Sequence, residues 1–277
     1  MSSNDFDASN YLEFCNYLER QCGIVLGANK QYLVRSRLAP LVARFSLENL
    51  ASLLTKFTRG MDRQLNAAVV DAMTTNETLW FRDTYPFEIL KNKLLDNFTG
   101  KRVPIRIWSA ACSSGQEPYS IAMTIHEYMQ NKPGAFPGGI QIIGTDISSD
   151  MLERCKKAEY NNLSLGRGLS AERRTKFFED VGNGDMRVIK PVRDMVSFKP
   201  INLLESYTSL GKFDLVFCRN VLIYFSAEIK TRILQQIAAG LQPGGILMVG
   251  ASESMSGLSD KYTLHRCSPG MYYSKKQ

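Results

Sequence analysis

Apolar positions recur at spacings of three and four in the first part of the chain, as in Tyr11, Phe14, Cys15 and Leu18 and again in Leu33, Leu38, Leu41, Val42 and Phe45. That period lays an apolar stripe along each helix, so the stretch up to about Asn97 reads as helices packed on one another. From Ile105 the pattern changes to short apolar runs that alternate with helical segments, which predicts a parallel sheet flanked by helices. The predicted strands are Ile105–Ala110, Ile140–Thr145, Val196–Asn202, Phe213–Cys218 and Ile246–Ala251. An antiparallel pair around Tyr262–Arg266 and Met271–Tyr273, joined at the Ser268-Pro-Gly270 turn, is expected to close the sheet. Helices are predicted over Pro118–Asn131, Ser149–Ala158 and Ala227–Leu241, the last ended by Gln242-Pro-Gly-Gly245.

One connection is too long for this plan. Between Ala158 and Val196 lie roughly forty residues, where a plain connection takes about 2–6. The segment holds Gly166-Arg-Gly168, a polar helical stretch Ala171–Glu179, and Gly182-Asn-Gly-Asp185 followed by the strand-like Met186 to Lys190. A small inserted β subdomain at about 159–195 is therefore expected, within a sheet domain at 86–277 that follows a helical domain and linker at 1–85.

Composition narrows the class. Of 277 residues, 44% are hydrophobic and 22% charged, the balance of a globular protein longer than one typical domain. No run approaches the ~18 apolar residues of a membrane helix. The start, MSSNDFDASNYLEF, lacks the layout of a signal peptide, so a cytoplasmic protein without membrane insertion is expected. The six cysteines include no C-x-x-C pair, and His126 and His265 have no thiol or carboxylate at ligand spacing, so no metal site is expected. The net charge of +7 points to an acidic partner: nucleic acid, a membrane surface or an acidic protein. Between Glu19 and Glu48 the basic residues Arg20, Lys30, Arg35, Arg37 and Arg44 occur with no acid among them. Arg37 and Arg44, seven apart, fall on one helix face, which is either solvated surface or a docking surface for an acidic helix.

Candidate chemistry gathers at strand ends. In IRIWSAACSSGQEPY, Ile105 to Tyr119, an apolar run breaks into a small-residue loop and opens a helix. Asp146 then ends the next predicted strand, where a parallel sheet holds a ribose. The loop has only Gly115 in place of the three glycines that let a backbone approach a pyrophosphate, so a cofactor with a sugar and no phosphate fits better, commonly S-adenosyl-L-methionine. Pro118 suits the first helical position, which puts Glu117 at the cap beside the cofactor. Arg219 and Asn220 after the fourth strand suit the methionine half or a substrate, and Asn202 and Leu203, ending the third, suit the adenine.

Four motifs, Asn76 to Arg82 (NETLWFR), Ser113 to Tyr119 (SSGQEPY), Gly144 to Ser148 (GTDIS) and Arg219 to Phe225 (RNVLIYF), closely resemble those of bacterial chemoreceptor glutamate methyltransferases of the CheR type. The resemblance runs from the amino-terminal helices to the last hairpin. It implies a small helical domain, a class I S-adenosylmethionine-dependent methyltransferase domain with a Rossmann-like α/β sheet, and an inserted β subdomain, which some relatives use to grip a peptide at the receptor's carboxyl terminus. It implies that Asn76, Thr78, Arg82, Glu117, Asp146, Asn202, Leu203, Arg219 and Asn220 contact the cofactor, and that Arg82 and Tyr224 lie near the transferred methyl and the acceptor. The partners it implies are the cytoplasmic helices of methyl-accepting receptors, and the products are glutamyl methyl esters and S-adenosyl-L-homocysteine. Gln116 and Trp80 depart from the family's usual residues; neither is an expected ligand.

That chemistry accounts for the idle histidines. A glutamate side chain, with pKa ~4.3, is already the anion at neutral pH and needs no base to become a nucleophile. What remains is orientation and removal of water, for which Arg82 offers a fork and Tyr224 a single donor. A nucleic-acid methyltransferase suits the basic charge, but the Asn-Pro-Pro-aromatic turn and the Pro-Cys nucleophile of those enzymes are missing. A cofactor-binding regulator without activity is the remaining alternative, against which Arg82 and Tyr224 stand intact.

Overall fold

The computed structural model describes residues 8–253, 255 and 260–276, so the first seven residues of the expected helical domain lie outside it. Four helices come first: α1 (Ala8–Cys22), α2 (Gln31–Arg44), α3 (Leu50–Thr58) and α4 (Arg63–Met73). Their apolar stripes meet in one core, with Phe14, Leu18, Val34, Leu38, Leu53, Phe57, Leu65 and Val69 all fully buried. Asn49 and Asp62 cap α3 and α4 by accepting from the backbone N–H groups of Ser52 and Leu65, at 2.8 and 3.0 Å.

After a linker, helix α5 (Tyr85–Ile89) leads into β1 (Ile105–Ala110), α6 (Gln116–Asn131), β2 (Ile140–Asp146) and α7 (Ser149–Lys157). The long connection then supplies β3 (Glu159–Tyr160), α8 (Asn162–Leu165), α9 (Ala171–Phe177), β4 (Phe178–Gly182), β5 (Asp185–Val188) and α10 (Lys190–Arg193). The chain closes with β6 (Val196–Pro200), β7 (Phe213–Cys218), α11 (Ala227–Gly240), β8 (Leu241–Val249), β9 (Tyr262–Cys267) and β10 (Gly270–Lys275).

The large sheet has the order β6-β2-β1-β7-β8-β10-β9. Its first five strands are parallel, and β10 runs antiparallel to both β8 and β9. β1 and β7 are buried along nearly their whole length because helices cover both faces, which is why they read as mostly apolar runs, broken only by Arg106, Ser109 and Asp214. Strand order reverses between β1 and β7, so a crevice opens beyond their carboxyl ends. The small sheet, β3-β5-β4, is antiparallel. Its β4–β5 turn is made by Asn183 and Gly184, both at positive φ (55° and 79°), the two-residue geometry that matches strand twist.

Several boundaries differ from expectation. Helix α6 starts at Gln116 behind a left-handed Gly115 (φ 94°), which places Glu117 second and Pro118 third in the helix, not at the cap and the first position. Proline is tolerated there because the first intrahelical bond is donated by Tyr119 to Gly115, so no earlier N–H is missed. Strand β6 stops at Pro200, which leaves Asn202 and Leu203 in the loop beyond it. Strand β8 begins at Leu241, and the Pro-Gly-Gly expected to serve only as a helix stop lies within it, at an irregularity opposite β7.

Candidate active site

One open cleft lies across the carboxyl ends of β1, β2 and β7. Asn76, Thr78, Arg82, Glu117, Asp146, Asn202, Leu203, Arg219, Asn220 and Tyr224 all line it. Five separate stretches of sequence are thus brought to one place by the sheet.

The loop after β1 takes glycine conformations largely without glycine. Ala111 (φ 56°), Ser113 (φ 50°) and Gly115 (φ 94°) are all left-handed, at alternate positions. A non-glycine residue held there is strained by about 1–2 kcal/mol, so the surroundings must fix it. Asp146 does so: its Oδ2 accepts from the Ser113 N–H at 2.7 Å and its Oδ1 from the Ser148 N–H at 2.9 Å. Burial pushes its carboxyl above the usual range, and those backbone donors pull the other way. Each oxygen retains a further lone pair for a ligand.

Arg219, only 1% exposed along its side chain, is a strut across the cleft floor. Its Nη1 donates to Glu117 Oε2 and its Nη2 to Asp83 Oδ2 and the Arg82 carbonyl, each at 2.8 Å. Glu117 is fixed again at Oε1 by the Ser109 hydroxyl, 2.7 Å away. Among the described residues Arg219 Nε, also buried, finds no acceptor.

The loop that follows is pinned by Glu253. This buried carboxylate accepts from the N–H groups of Asn220 (2.8 Å), Leu222 (2.7 Å) and Gly250 (2.7 Å), holding Asn220 at φ 58°. A Cβ on Gly250 would stand 2.6 Å from Glu253 Oε2 and 3.0 Å from the Asn220 backbone nitrogen, so a larger residue there would push on the pinned carboxylate. Sequence reasoning missed Glu253, Asp83 and Ser109, since a lone carboxylate or hydroxyl near a strand or linker carries no pattern of its own.

The helical domain forms the cleft's other wall. Val25 N–H donates to the Tyr224 carbonyl at 3.1 Å, and Asn202 Nδ2 donates to the Gln21 carbonyl at 2.7 Å. The linker hangs on Arg37, whose guanidinium donates to the carbonyls of Met73 (2.7 Å) and Thr74 (3.0 Å) and to Thr75 Oγ1 (3.1 Å). Arg37 thus lines the cleft and is half-buried, whereas Arg44 is exposed and lies 5.5 Å from the Phe45 ring. The seven-residue spacing places both on one side of the helix, but the linker covers the Arg37 end. Arg82 sits in a contorted segment, with Phe81, Asp83 and Thr84 at φ 49°, 65° and 53°, and its Nη1 donates to the Glu77 carbonyl at 3.1 Å.

These groups suit an adenosyl amino acid. Asp146 has lone pairs for a ribose diol, and Leu203 and Ile147 give apolar cover. No basic side chain comes from the loop after β1.

The fold and cleft define a class I S-adenosylmethionine-dependent methyltransferase. The model of the CheR methyltransferase SAM-binding domain matches residues 76–271, and that of the CheR methyltransferase all-alpha domain matches residues 9–74. The chain belongs to the CheR methyltransferase family, and its cofactor is S-adenosylmethionine. It is 56% identical to chemotaxis protein methyltransferase 1 of Vibrio cholerae and 57% identical to the chemotaxis protein methyltransferase of Vibrio parahaemolyticus, each over 100% of both chains. Against the chemotaxis protein methyltransferase of Escherichia coli, identity is 31%, over 92% of this chain and 88% of that one.

Proposed function

We propose that this enzyme transfers the methyl group of S-adenosylmethionine to glutamate side chains of membrane-bound chemoreceptors, forming glutamyl methyl esters. The observation that carries this reading is the meeting of Arg82 and Tyr224, two donors suited to a carboxylate, with the cofactor-side residues in one cleft. The bound cofactor supplies a methyl group activated on a sulfonium. The protein's part is to orient an acceptor that is already anionic and to exclude water from it. Both histidines lie elsewhere: His126 packs edge-on against Phe177, and His265 pairs with Ser274 in the final hairpin. Among the described residues no group of His, Cys, Asp and Glu could hold a metal ion, and no helix is long and apolar enough to cross a membrane. The outer face of α2, with Arg44 exposed, is the surface assigned to acidic receptor helices.

The bond that is made is the test. With labelled S-adenosylmethionine and receptor fragments, mild alkali should release the label as volatile methanol. Label that survives alkali, as on nitrogen or carbon, overturns the reading, and transfer to nucleic acid instead of receptor favours the competing enzyme class.

For the cofactor side, Asp146→Ala should weaken S-adenosylmethionine binding about tenfold, the loss of one charge-assisted hydrogen bond. Calorimetry on the folded variant measures it; wild-type affinity would remove Asp146 from the site.

A further inference from the structure

We propose that Arg173, on α9 beside the small sheet, is a positioning residue for Arg82: by clamping the Phe81 ring it holds the linker in the contorted shape that aims Arg82 into the cleft. The inference rests on the catalytic role proposed for Arg82 and adds the part of the protein that supports it. Arg173 Cζ lies 3.8 Å from the Phe81 ring centroid, a close cation–π contact. The guanidinium cannot drift, because Glu127 on α6 accepts from its Nε at 2.8 Å and its Nη2 at 3.2 Å. Glu127 is itself held by Lys91 at 3.0 Å. Burial alone would raise the Glu127 carboxyl, but Arg173 and Lys91 outweigh it and keep the group below its ordinary range, hence charged.

The clamp falls where the backbone most needs one. Phe81 is a bulky residue at φ 49°, and Asp83 and Thr84 beyond Arg82 have positive φ too. Such conformations persist only when their surroundings enforce them. The neighbouring contacts come from the same segment between β3 and α9. Trp80 N–H donates to the Arg167 carbonyl at 3.0 Å, and a Cβ on Gly168 would stand 2.1 Å from the Trp80 carbonyl oxygen. Arg167 also pairs with Glu77, whose carbonyl receives the Arg82 side chain. The long connection thus braces the linker whether or not anything binds to it.

The test is a double-mutant cycle on the full chain. Arg173→Met keeps the aliphatic stem and removes the charge. It should lower kcat on a receptor fragment about tenfold while the Kd for S-adenosylmethionine stays within about twofold. In an Arg82→Ala background, where residual turnover is followed with labelled cofactor, the same change should have no further effect. An equal loss in both backgrounds, an unchanged kcat, or a rise in KM alone overturns the proposal. Should Arg173→Met fail to fold, Phe81→Leu carries the same cycle from the other side of the contact. Normal turnover in Arg82→Ala alone is a different result: it removes the catalytic role of Arg82 on which the proposal rests, whatever Arg173 does.

Discussion

Arg82→Ala should lower kcat for receptor methylation about a hundredfold and leave the thermal midpoint nearly unchanged. The fold has little at stake, since the side chain is only partly buried and, among the described residues, has one hydrogen bond, to the Glu77 carbonyl at 3.1 Å. A partly exposed side chain of this kind usually contributes less than about 0.5 kcal/mol to stability. Catalysis has much at stake, because the proposed carboxylate acceptor needs no base and relies on placement, and a misplacement of an ångström costs about a hundredfold in rate. If the guanidinium acts only in the transition state, kcat and kcat/KM fall together while cofactor affinity changes little. A variant that turns over normally would show that the fork does not meet the acceptor.

Arg219→Met should destabilise the protein by about 3 kcal/mol and shift its denaturant midpoint accordingly. Removing one partner of a buried ion pair leaves the other charge stranded, typically at about 3–5 kcal/mol. The lower end applies here because Asp83, with a third of its side chain exposed, regains water, whereas Glu117, 13% exposed, does not. Pairing the change with Glu117→Gln should recover part of the loss, since no stranded carboxylate then remains at that position. If the single variant unfolds at the wild-type midpoint, Arg219 is not a strut, and its place is that of a ligand arm alone.

The sheet was legible because burial on both faces leaves a plain signature: β1 and β7 begin and end where their apolar runs do. Boundaries failed where two signals share one physical cause. Proline suits any position whose N–H has no partner, so Pro118 could not by itself distinguish the first helical residue from the third. The candidate site was legible as a set of strand ends, and its members do meet in one cleft. Their partners were not. Helical spacing put Arg37 and Arg44 on one side of α2, but only the tertiary structure shows that the linker covers Arg37. Likewise the chain announces Arg219 beside a strand end without revealing that Glu117 and Asp83 already occupy both its Nη atoms.

The wall that the helical domain lends to the cleft ties two events together. Tyr224 and Asn202 are bonded to the segment Gln21–Val25, and that segment belongs to a different hydrophobic core from the sheet. A ligand seated between the two halves therefore acts as a rivet: at a hundred times its dissociation constant it adds about 2.7 kcal/mol to their closed arrangement. Cofactor occupancy and the grip of the helices on the sheet rise and fall together. An acceptor that arrives after the cofactor then meets halves that are already riveted together.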